Sequence, residues 1–452
     1  MFLFDISKHQ LIKRITMSKR IKTGLKILIG VVIVILAVAA VYFVFPQLWK
    51  SPVSVAASSV FQKVFSTSST SDNGLIVFVS EVSGNPEIYT MQSDGTKVTE
   101  LTKGLGKSYS PRWSPDGKHI AYIGENNGQA NVFVMNADGS SQTRLSNASN
   151  TNQISYEWSL DSKRIEYSEI SAGDPNATSI STVNVNGNES NILAPAQNGI
   201  QFLGWSFDRK QIIYEQTDSK SGKNNINIIN VDGSGKKELA QIAGLSQLLH
   251  WQDANHFYVI SNTVDLWEID LIGTDGDQPE KIASYTDSGI VTWFGSKNSL
   301  TYVTNHFESW TWNRIDGKNT TFLATWPNYA AQCKKSTGNM ILGEASNNSS
   351  PDGLHGLVGV WCDDGSTSFY FVNNDGSKII QLFGANIPSQ FIDANWSPDG
   401  QNIVITLGNN QTGNSDFYLI NVNKILQDPS IQPIQLTNDK AWKYDASWQP
   451  QP

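Results

Sequence analysis

The sequence has few of the residues that build metal and redox centres. It contains two cysteines and six histidines among 452 residues. No two histidines form an H-x-x-x-H or H-E-x-x-H pair, and two thiols without a neighbouring histidine do not make a zinc ligand set. We therefore expect neither a metal site nor a bound cofactor.

The scarcity of cysteine also excludes a scaffold built on many disulfides. Cys333 and Cys362 lie 29 residues apart, and in an oxidising compartment they can form one bridge. Such a bridge would stabilise the fold by about 3–4 kcal/mol through loop closure. Two free thiols buried in neighbouring strands are the alternative, and the sequence leaves both open.

Basic residues are missing from most of the chain. Residues 1–50 hold eight of them against Asp5 alone, whereas the other 402 residues hold 25 basic and 40 acidic side chains. This second part therefore carries a net charge of −15, and it contains no basic stripe. Because it would repel phosphate backbones, we exclude nucleic acid as a partner.

One segment contains no charge at all. The nineteen apolar residues Ile27–Phe45 would span about 28 Å as a helix, which is close to the thickness of a bilayer core. Six cations at 13–26 precede this helix and favour a cytoplasmic N-terminus. A cleaved signal peptide is the alternative, although the apolar stretch of such a peptide usually has only about 7–15 residues.

The sequence thus divides into four segments. Residues 1–26 form a basic cytoplasmic segment, and residues 27–45 form a transmembrane helix. Residues 46–73 are rich in serine and threonine, which predicts a flexible linker. Residues 74–452 carry internal repeats, and the predicted orientation of the membrane helix places them outside the cytoplasm.

The repeats are units of four short strands. In the clearest unit, strands at 108–114, 119–123, 131–136 and 143–146 are joined by turns with Ser-Pro-Asp-Gly and Asp-Gly. A tryptophan recurs at the end of the first strand at intervals of roughly forty to sixty residues, which is typical of a propeller. The repeat position falls on Trp113, Trp158, Trp205, Trp251, Trp293, Cys333, Trp396 and Trp448.

The units predict an all-β fold, an eight-bladed β-propeller with four-stranded antiparallel blades. The series of first strands and the series of second strands each have eight members, but they are out of phase. The C-terminal strand, in YDASWQP at 444–450, would therefore complete the first blade and close the ring. The seventh unit is degenerate and has an insertion at 347–359, so seven blades are the alternative. Second strands begin near Leu75, His119, Arg164, Gln211, His256, Ser299, Met340 and Asn402.

The repeated segments resemble the TolB-type propeller repeat across residues 74–452. They are WSPDG at 113–117 and 396–400, HIAYI at 119–123 and VFVMNADG at 132–139. The resemblance implies a periplasmic propeller that binds envelope partners, as six-bladed members do. Related eight-bladed propellers gate a hydrolase domain in dipeptidyl-peptidase-like enzymes. A hydrolase of that kind needs a Gly-x-Ser-x-Gly elbow, and because the sequence has none we expect no enzyme.

The candidates for ligand binding are tryptophans outside the repeat position. Trp267, Trp310, Trp312, Trp326 and Trp361 all fall in units five to seven, where the repeat is weakest. Their side chains either stack on a carbohydrate or peptide, or replace the packing that the weak repeat has lost. The aspartates of the turns are structural candidates only, because Asp in a turn is favoured for hydrogen bonds to its own backbone. They are Asp116, Asp138, Asp232, Asp375 and Asp399.

The sequence therefore predicts a single-pass membrane protein whose extracytoplasmic propeller binds an envelope or extracellular protein. The alternative is a sensor of a small ligand or carbohydrate, or an enzyme, with its site at the mouth of the propeller channel. Convergent carboxylates or histidines at one face would favour this alternative. A flat loop face of apolar and acidic side chains would favour a protein partner.

Overall fold

The alternating apolar residues of the repeats pair into antiparallel β-sheets, as the sequence predicts. The computed structural model describes residues 74–451, except 105, 148–153, 171–173, 175–176, 264–265, 286–289, 297–298, 307–308, 328–348, 362–366, 383–389 and 410–411. The predicted cytoplasmic segment, membrane helix and linker lie outside the described residues, as do Cys333 and Cys362. Within the described ranges, no helix is both long enough and apolar enough to cross a membrane.

Eight sheets follow one another along the chain, so the predicted count of eight blades is confirmed. Blades 1 to 4 contain β1 (Leu75–Ser80), β2 (Glu87–Gln92), β3 (Thr99–Glu100); β4 (Lys107–Trp113), β5 (His119–Asn126), β6 (Gln129–Asn136), β7 (Thr143–Arg144); β8 (Ile154–Trp158), β9 (Arg164–Ile170), β10 (Ala177–Asn184), β11 (Asn191–Asn198); β12 (Ile200–Trp205), β13 (Gln211–Thr217), β14 (Asn224–Asn230), β15 (Lys237–Ile242).

Blades 5 to 8 continue the series with β16 (Leu245–Trp251), β17 (His256–Asn262), β18 (Trp267–Gly273), β19 (Glu280–Tyr285); β20 (Ile290–Ser296), β21 (Ser299–His306), β22 (Ser309–Asp316), β23 (Asn319–Pro327); β24 (His355–Trp361), β25 (Thr367–Asn373), β26 (Ile379–Gln381); β27 (Gln390–Trp396), β28 (Asn402–Asn409), β29 (Asn414–Asn421), β30 (Ile434–Gln435). Helix α1 (Val422–Gln427) lies between β29 and β30, and the last strand, β31 (Lys443–Trp448), joins blade 1.

We label the strands of each blade A to D across the sheet, so that β31 is strand A of blade 1. The A strands are innermost, because A strands of adjacent blades contact one another, as β31 contacts β4 and β27. Antiparallel pairing places the A–B and C–D turns at one end of the blades, which we call the A–B face. The B–C loops and the D-to-A connections lie at the other end, the B–C face.

The repeat tryptophans hold neighbouring blades together. The indole N–H of Trp448 donates to the backbone carbonyl of Asn395 in blade 8 (3.1 Å), and that of Trp113 donates to Ser447 in blade 1 (3.3 Å). The same bond to the preceding blade is made by Trp158 and Trp251. Their rings also lie in apolar clusters that two adjacent blades share. The predicted structural role of these residues is confirmed.

The predicted closure by the C-terminal strand is also confirmed. Strand β31 pairs antiparallel with β1, where Trp448 lies opposite Ile76. At the start of β31, the buried ammonium group of Lys443 lies 2.6 Å from the carboxylate of Asp439 and 3.5 Å from that of Asp416. Asp416 belongs to blade 8, so this buried ion pair ties the first blade to the last.

A hydrogen-bond network shapes the A–B turns of blades 2, 3, 4, 7 and 8. In blade 2 the hydroxyl of Ser114 donates to the carboxylate of Asp116 (2.6 Å), and that carboxylate also accepts the backbone N–H of Lys118 (3.2 Å). Ser114 Oγ in turn accepts the N–H of His119 (3.0 Å), where strand B begins. The same Ser-x-Asp network recurs at Ser159, Ser206, Ser350 and Ser397.

The network shows that the predicted start of blade 7 is wrong. The sequence places its second strand near Met340 and an insertion at 347–359. In the structure, Ser350 donates to Asp352 (2.5 Å) and accepts the N–H of His355 (2.9 Å), as Ser114 does in the A–B turn of blade 2. The supposed insertion is therefore the A–B turn itself, and strand B of blade 7 begins at His355.

The repeat position of blade 7 moves accordingly. In blade 2 the repeat residue Trp113 lies opposite Ile120, the second residue of strand B. In blade 7 the residue opposite the second position, Gly356, is Ser349, through an isolated bridge. Ser349 therefore takes the repeat position, and its assignment to Cys333 is wrong.

Blade 6 requires a smaller correction. There the second residue of strand B is Leu300, and Gly295 lies opposite it. Trp293 lies opposite Tyr302, two residues away from the repeat position. Because residues two apart on a strand point to the same face, Trp293 produced a plausible match at the wrong register.

Candidate functional site

The A–B turns of blades 3 and 4 depart from the repeat. Blades 2, 7 and 8 have Ser-Pro-Asp-Gly in this turn, whereas blade 3 has Ser-Leu-Asp-Ser at 159–162 and blade 4 has Ser-Phe-Asp-Arg at 206–209. Leu160 and Phe207 replace the proline, and their side chains are 56% and 53% exposed. We call these two residues, with Lys163 and Lys210 beside them, the blade 3–4 surface.

The glycine of the turn is also replaced in both blades. Ser162 and Arg209 occupy its position with φ angles of 59° and 61°. The left-handed conformation costs a residue with a side chain about 1–2 kcal/mol. Each side chain makes a contact with a neighbouring blade: Ser162 Oγ accepts the N–H of Asp116 (3.0 Å), and the guanidinium of Arg209 lies 3.7 Å from Glu157. These contacts fix how the two turns lie relative to their neighbours.

The charges around Leu160 and Phe207 are unevenly disposed. Lys163 and Lys210 follow the two turns and are exposed. The carboxylate of Asp208 accepts hydrogen bonds within its own turn; burial opposes its ionisation, but the N–H of Lys210 and the hydroxyl of Ser206 hold its pKa below the usual value. The turn carboxylates accept hydrogen bonds from their own backbone, Asp208 also pairs with Lys210 at 3.8 Å, and both lysine side chains extend into solvent.

A buried carboxyl group lies beneath this surface. Glu157 on β8 is directly opposite Glu166 on β9, and Glu166 is fully enclosed. Burial raises the pKa of Glu166 well above its usual value, the hydroxyl of Ser168 opposes the shift, and the negative charge of Glu157 adds to it. Burial and the neighbouring charge thus favour the protonated form of Glu166, and Glu157 lies 3.7 Å from the guanidinium of Arg209.

A second polar cluster lies on the A strands of blades 8, 1 and 2. Asp393 and Asp445 take the same place in the segments Asp-Ala-Asn-Trp and Asp-Ala-Ser-Trp. The hydroxyl of Ser110 lies 3.4 Å from Asp445. Burial raises the pKa of Asp393 to about 6; the positive charge of Arg112 opposes this shift, and the negative charge of Asp445 adds to it. The two carboxylates and the guanidinium are thus close enough to interact along the inner wall of the ring.

The predicted stacking tryptophans differ in how far they can be placed. Trp312 on β22 is fully buried, with 0% of its surface exposed, so it packs in the core and is closed to a ligand. The backbones of Trp310, Trp326 and Trp361 lie in β22, β23 and β24, and their side chains are outside the described residues, as is the possible disulfide. Trp267, at the start of β18, is half-buried and lines a pocket.

The turn aspartates have the structural role that the sequence predicts. Asp138, Asp232 and Asp375 each accept the N–H of the residue two positions later, at 2.8–3.0 Å. Across the described part of the chain, no three histidine, aspartate or glutamate side chains come together in a way that could hold a metal ion.

Sequence reasoning missed the blade 3–4 surface, although its signal was present. The segments WSLDS at 158–162 and WSFDR at 205–209 differ from WSPDG at the proline and at the glycine. The informative point is the kind of replacement, since Leu160 and Phe207 stay more than half exposed, even though the ring of Phe207 contacts that of Trp251. The channel carboxylates were missed because nothing in the sequence places Asp393 beside Asp445 until the ring closes.

The comparisons with known proteins agree with this fold. Residues 54–255 match the family model described as the TolB beta propeller domain. A search of curated proteins found no match. Among solved structures, an oligogalacturonate lyase from Vibrio parahaemolyticus is similar at 12% identity and a TM-score of 0.50, over 77% of this chain and 96% of that one.

Two further solved structures have the same TM-score of 0.50. A prolyl endopeptidase is 13% identical over 78% of this chain, which spans only 54% of the endopeptidase, and a eukaryotic initiation factor is 12% identical over 84% of this chain and 99% of that one. At such identities the likeness shows the fold alone. The match of residues 54–255 to the family model, together with the eight blades of the structure, supports a TolB-type β-propeller.

Proposed function

We propose that this protein is a membrane-anchored, extracytoplasmic binding module whose blade 3–4 surface docks an envelope or extracellular protein. The chain acts by binding and not by catalysis. The observation that carries the proposal is the pair of exposed apolar side chains, Leu160 and Phe207, on adjacent turns where other blades have proline. An exposed apolar pair rimmed by polar residues is typical of a protein interface.

The chemistry of the surface specifies the partner. Lys163 and Lys210 flank the apolar pair, and the nearby aspartates accept hydrogen bonds within their turns, although Asp208 also pairs with Lys210 at the surface. A complementary segment would insert one or two apolar side chains between the turns and place carboxylates against the lysines. The partner is therefore a protein with an acidic segment that contains apolar residues. The rigid, hydrogen-bonded turns lower the entropy lost on docking.

A consensus reversion tests this proposal. The double variant Leu160→Pro/Phe207→Pro restores the turn that blades 2, 7 and 8 already have, so it should fold. A photo-crosslinking residue at Lys163 or Lys210 should capture the same acidic partner in intact membranes, and the double reversion should abolish the capture. The control is Ile434→Ser, which removes an exposed apolar side chain from the outer strand of blade 8. Undiminished capture in the double reversion would exclude this surface.

A separate experiment tests the proposed orientation in the membrane. The apolar segment 27–45, with its preceding cations, supports a single span with the propeller outside. Protease added to intact cells should then degrade the propeller and spare the N-terminal segment. If the propeller survives in intact cells and is lost only after lysis, the orientation is reversed.

A second candidate function, the binding of a small ligand in the channel, is favoured by the cluster of Asp393, Asp445 and Arg112. This mixture of two carboxylates and a guanidinium suits a ligand that carries both charges, such as an amino acid. Arg112→Gln should abolish binding of such a ligand by calorimetry, while the blade 3–4 surface keeps its partner.

A further inference from the structure

A pocket opens where the A strands of blades 4 and 5 begin, on the B–C face. Its volume is about 470 Å³, and it lies at the opposite end of the blades from the blade 3–4 surface. Because the A strands form the inner wall of the ring, this pocket is at the mouth of the channel. Its volume lies within the range of small-molecule sites, which is about 300–1,000 Å³.

The lining of the pocket is polar but uncharged. Gln201, Gln247 and Asn262 contribute amides, Ser246 and Ser261 contribute hydroxyls, and no described residue of the lining is ionisable. Amide groups both donate and accept hydrogen bonds, so they match hydroxyl groups, which also do both. A charged ligand would lose its hydration here and gain no counter-charge.

Two aromatic residues, Phe202 and Trp267, line the pocket among these polar groups. Trp267 packs against the apolar cluster that blades 5 and 6 share, and it also lines the pocket. A half-buried tryptophan offers a rigid apolar plane whose position the core fixes. Such a plane is suited to the C–H face of a sugar ring, while the surrounding amides reach the ring hydroxyls.

The floor of the pocket is held in place from below. The hydroxyl of Ser246 donates to the carboxyl group of Glu215 on β13, and Glu215 is only 2% exposed. Because its proton is engaged with Glu215, Ser246 Oγ presents lone pairs to the pocket and accepts a hydrogen bond from a ligand hydroxyl. Ser246 is itself buried, so the floor is set before any ligand arrives.

We infer that this pocket binds an uncharged sugar, a mono- or disaccharide, which stacks on Trp267 and bonds to the amides and to Ser246. The inference does not depend on the proposed protein partner, because the two sites lie on opposite faces of the propeller.

Saturation-transfer NMR on the full-length protein tests the inference. The protein is kept in a detergent without a sugar headgroup and is mixed with cellobiose, maltose, lactose and chitobiose. Digalacturonic acid, adenosine and a neutral tripeptide are the competing classes. At least one neutral disaccharide should bind, and Trp267→Ala should weaken it about tenfold or more, whereas Trp267→Tyr should keep it within a few-fold.

Two further variants keep the inference open to refutation if Trp267→Ala unfolds. Gln247→Ala changes an exposed amide of the pocket and should weaken the same sugar, and Gln197→Ala, in the separate polar groove beside blade 3, is the matched control and should not. Binding of only the charged sugar, the nucleoside or the peptide would overturn the inference. Binding of a neutral sugar with the same affinity in the Trp267→Ala, Trp267→Tyr and Gln247→Ala variants would also overturn the inference.

Discussion

Replacing Trp448 by phenylalanine should destabilise the propeller more than the same replacement at Trp205. Both side chains are buried, and both variants lose the same atoms, so the loss of buried apolar surface is matched. The two differ in their hydrogen bonding. The indole N–H of Trp448 donates to Asn395, whereas that of Trp205 has no acceptor among the described residues.

The difference can be worked out from these contacts. Trp448→Phe removes the buried hydrogen bond from the indole to the carbonyl of Asn395, which costs about 1–3 kcal/mol. Trp205→Phe removes a buried N–H that had already lost its bond to water, and this offsets part of the lost packing by a similar amount. The free energies of unfolding of the two variants should therefore differ by about 2–4 kcal/mol.

Urea-induced unfolding of the full-length protein, followed by circular dichroism, measures this difference. Trp113→Phe extends the test, because Trp113 donates to the closing strand from the other side and should behave like Trp448. Equal unfolding free energies for the Trp448 and Trp205 variants would refute the reasoning. The tryptophans would then join the blades by apolar packing alone.

Three further predictions follow from buried or crowded groups. Lys443→Met should cost about 3–5 kcal/mol of unfolding free energy, because it leaves Asp416 and Asp439 without their buried partner, and the exposed Lys440→Met is the control. Burial raises the pKa of Glu215 from 4.5 to about 7, so the folded state binds a proton that the unfolded state has released. The free energy of unfolding should therefore fall by about 3 kcal/mol as pH rises from 4.5 to 7. Urea titrations at several pH values should find this loss in the natural protein but not in Glu215→Gln. Gly106→Ala should destabilise far more than Gly104→Ala in thermal unfolding: both have positive φ, but only at Gly106 would the new Cβ lie 2.1 Å from a backbone oxygen, that of Glu125.

The blade count could be predicted from the sequence because hairpin signals are local. Asp-Gly and Ser-Pro-Asp-Gly each fix a turn within four residues, and the strands around them need no distant information. Seven of the eight predicted second strands begin where the structure has them, from Leu75 to Asn402. The eighth prediction, Met340, was wrong because it was placed from the spacing of the repeat position, which falls on Cys333, and not from the Ser-Pro-Asp-Gly turn at 350–353. Blade 7 keeps Ser350 and Asp352, whose hydrogen bonds form the turn, and has Ser349 in place of the indole.

The candidate sites could be predicted far less well, since they depend on which blades are neighbours. The pocket combines Gln201 and Trp267, which are 66 residues apart and meet only through the pairing of blades 4 and 5. Trp267 was a candidate from the sequence, but so was Trp312, and nothing local separates them. Trp312 is enclosed between strands, whereas Trp267 begins its strand at the open face. The sequence shows that both residues are tryptophans, but the position of each along its strand decides whether its side chain is exposed.

The substitutions in blades 3 and 4 also argue against simple decay of the repeat. Loss of selection on an exposed turn favours small polar residues, and glycine would be replaced only where the left-handed backbone could relax. Here Ser162 and Arg209 keep the strained φ, and each makes a contact with a neighbouring blade, so the turn geometry is retained at a cost of about 1–2 kcal/mol apiece. A retained geometry that presents two exposed apolar side chains is what an interface requires. The departure from the repeat in blades 3 and 4, with the backbone of the repeat preserved, therefore supports the docking surface proposed there.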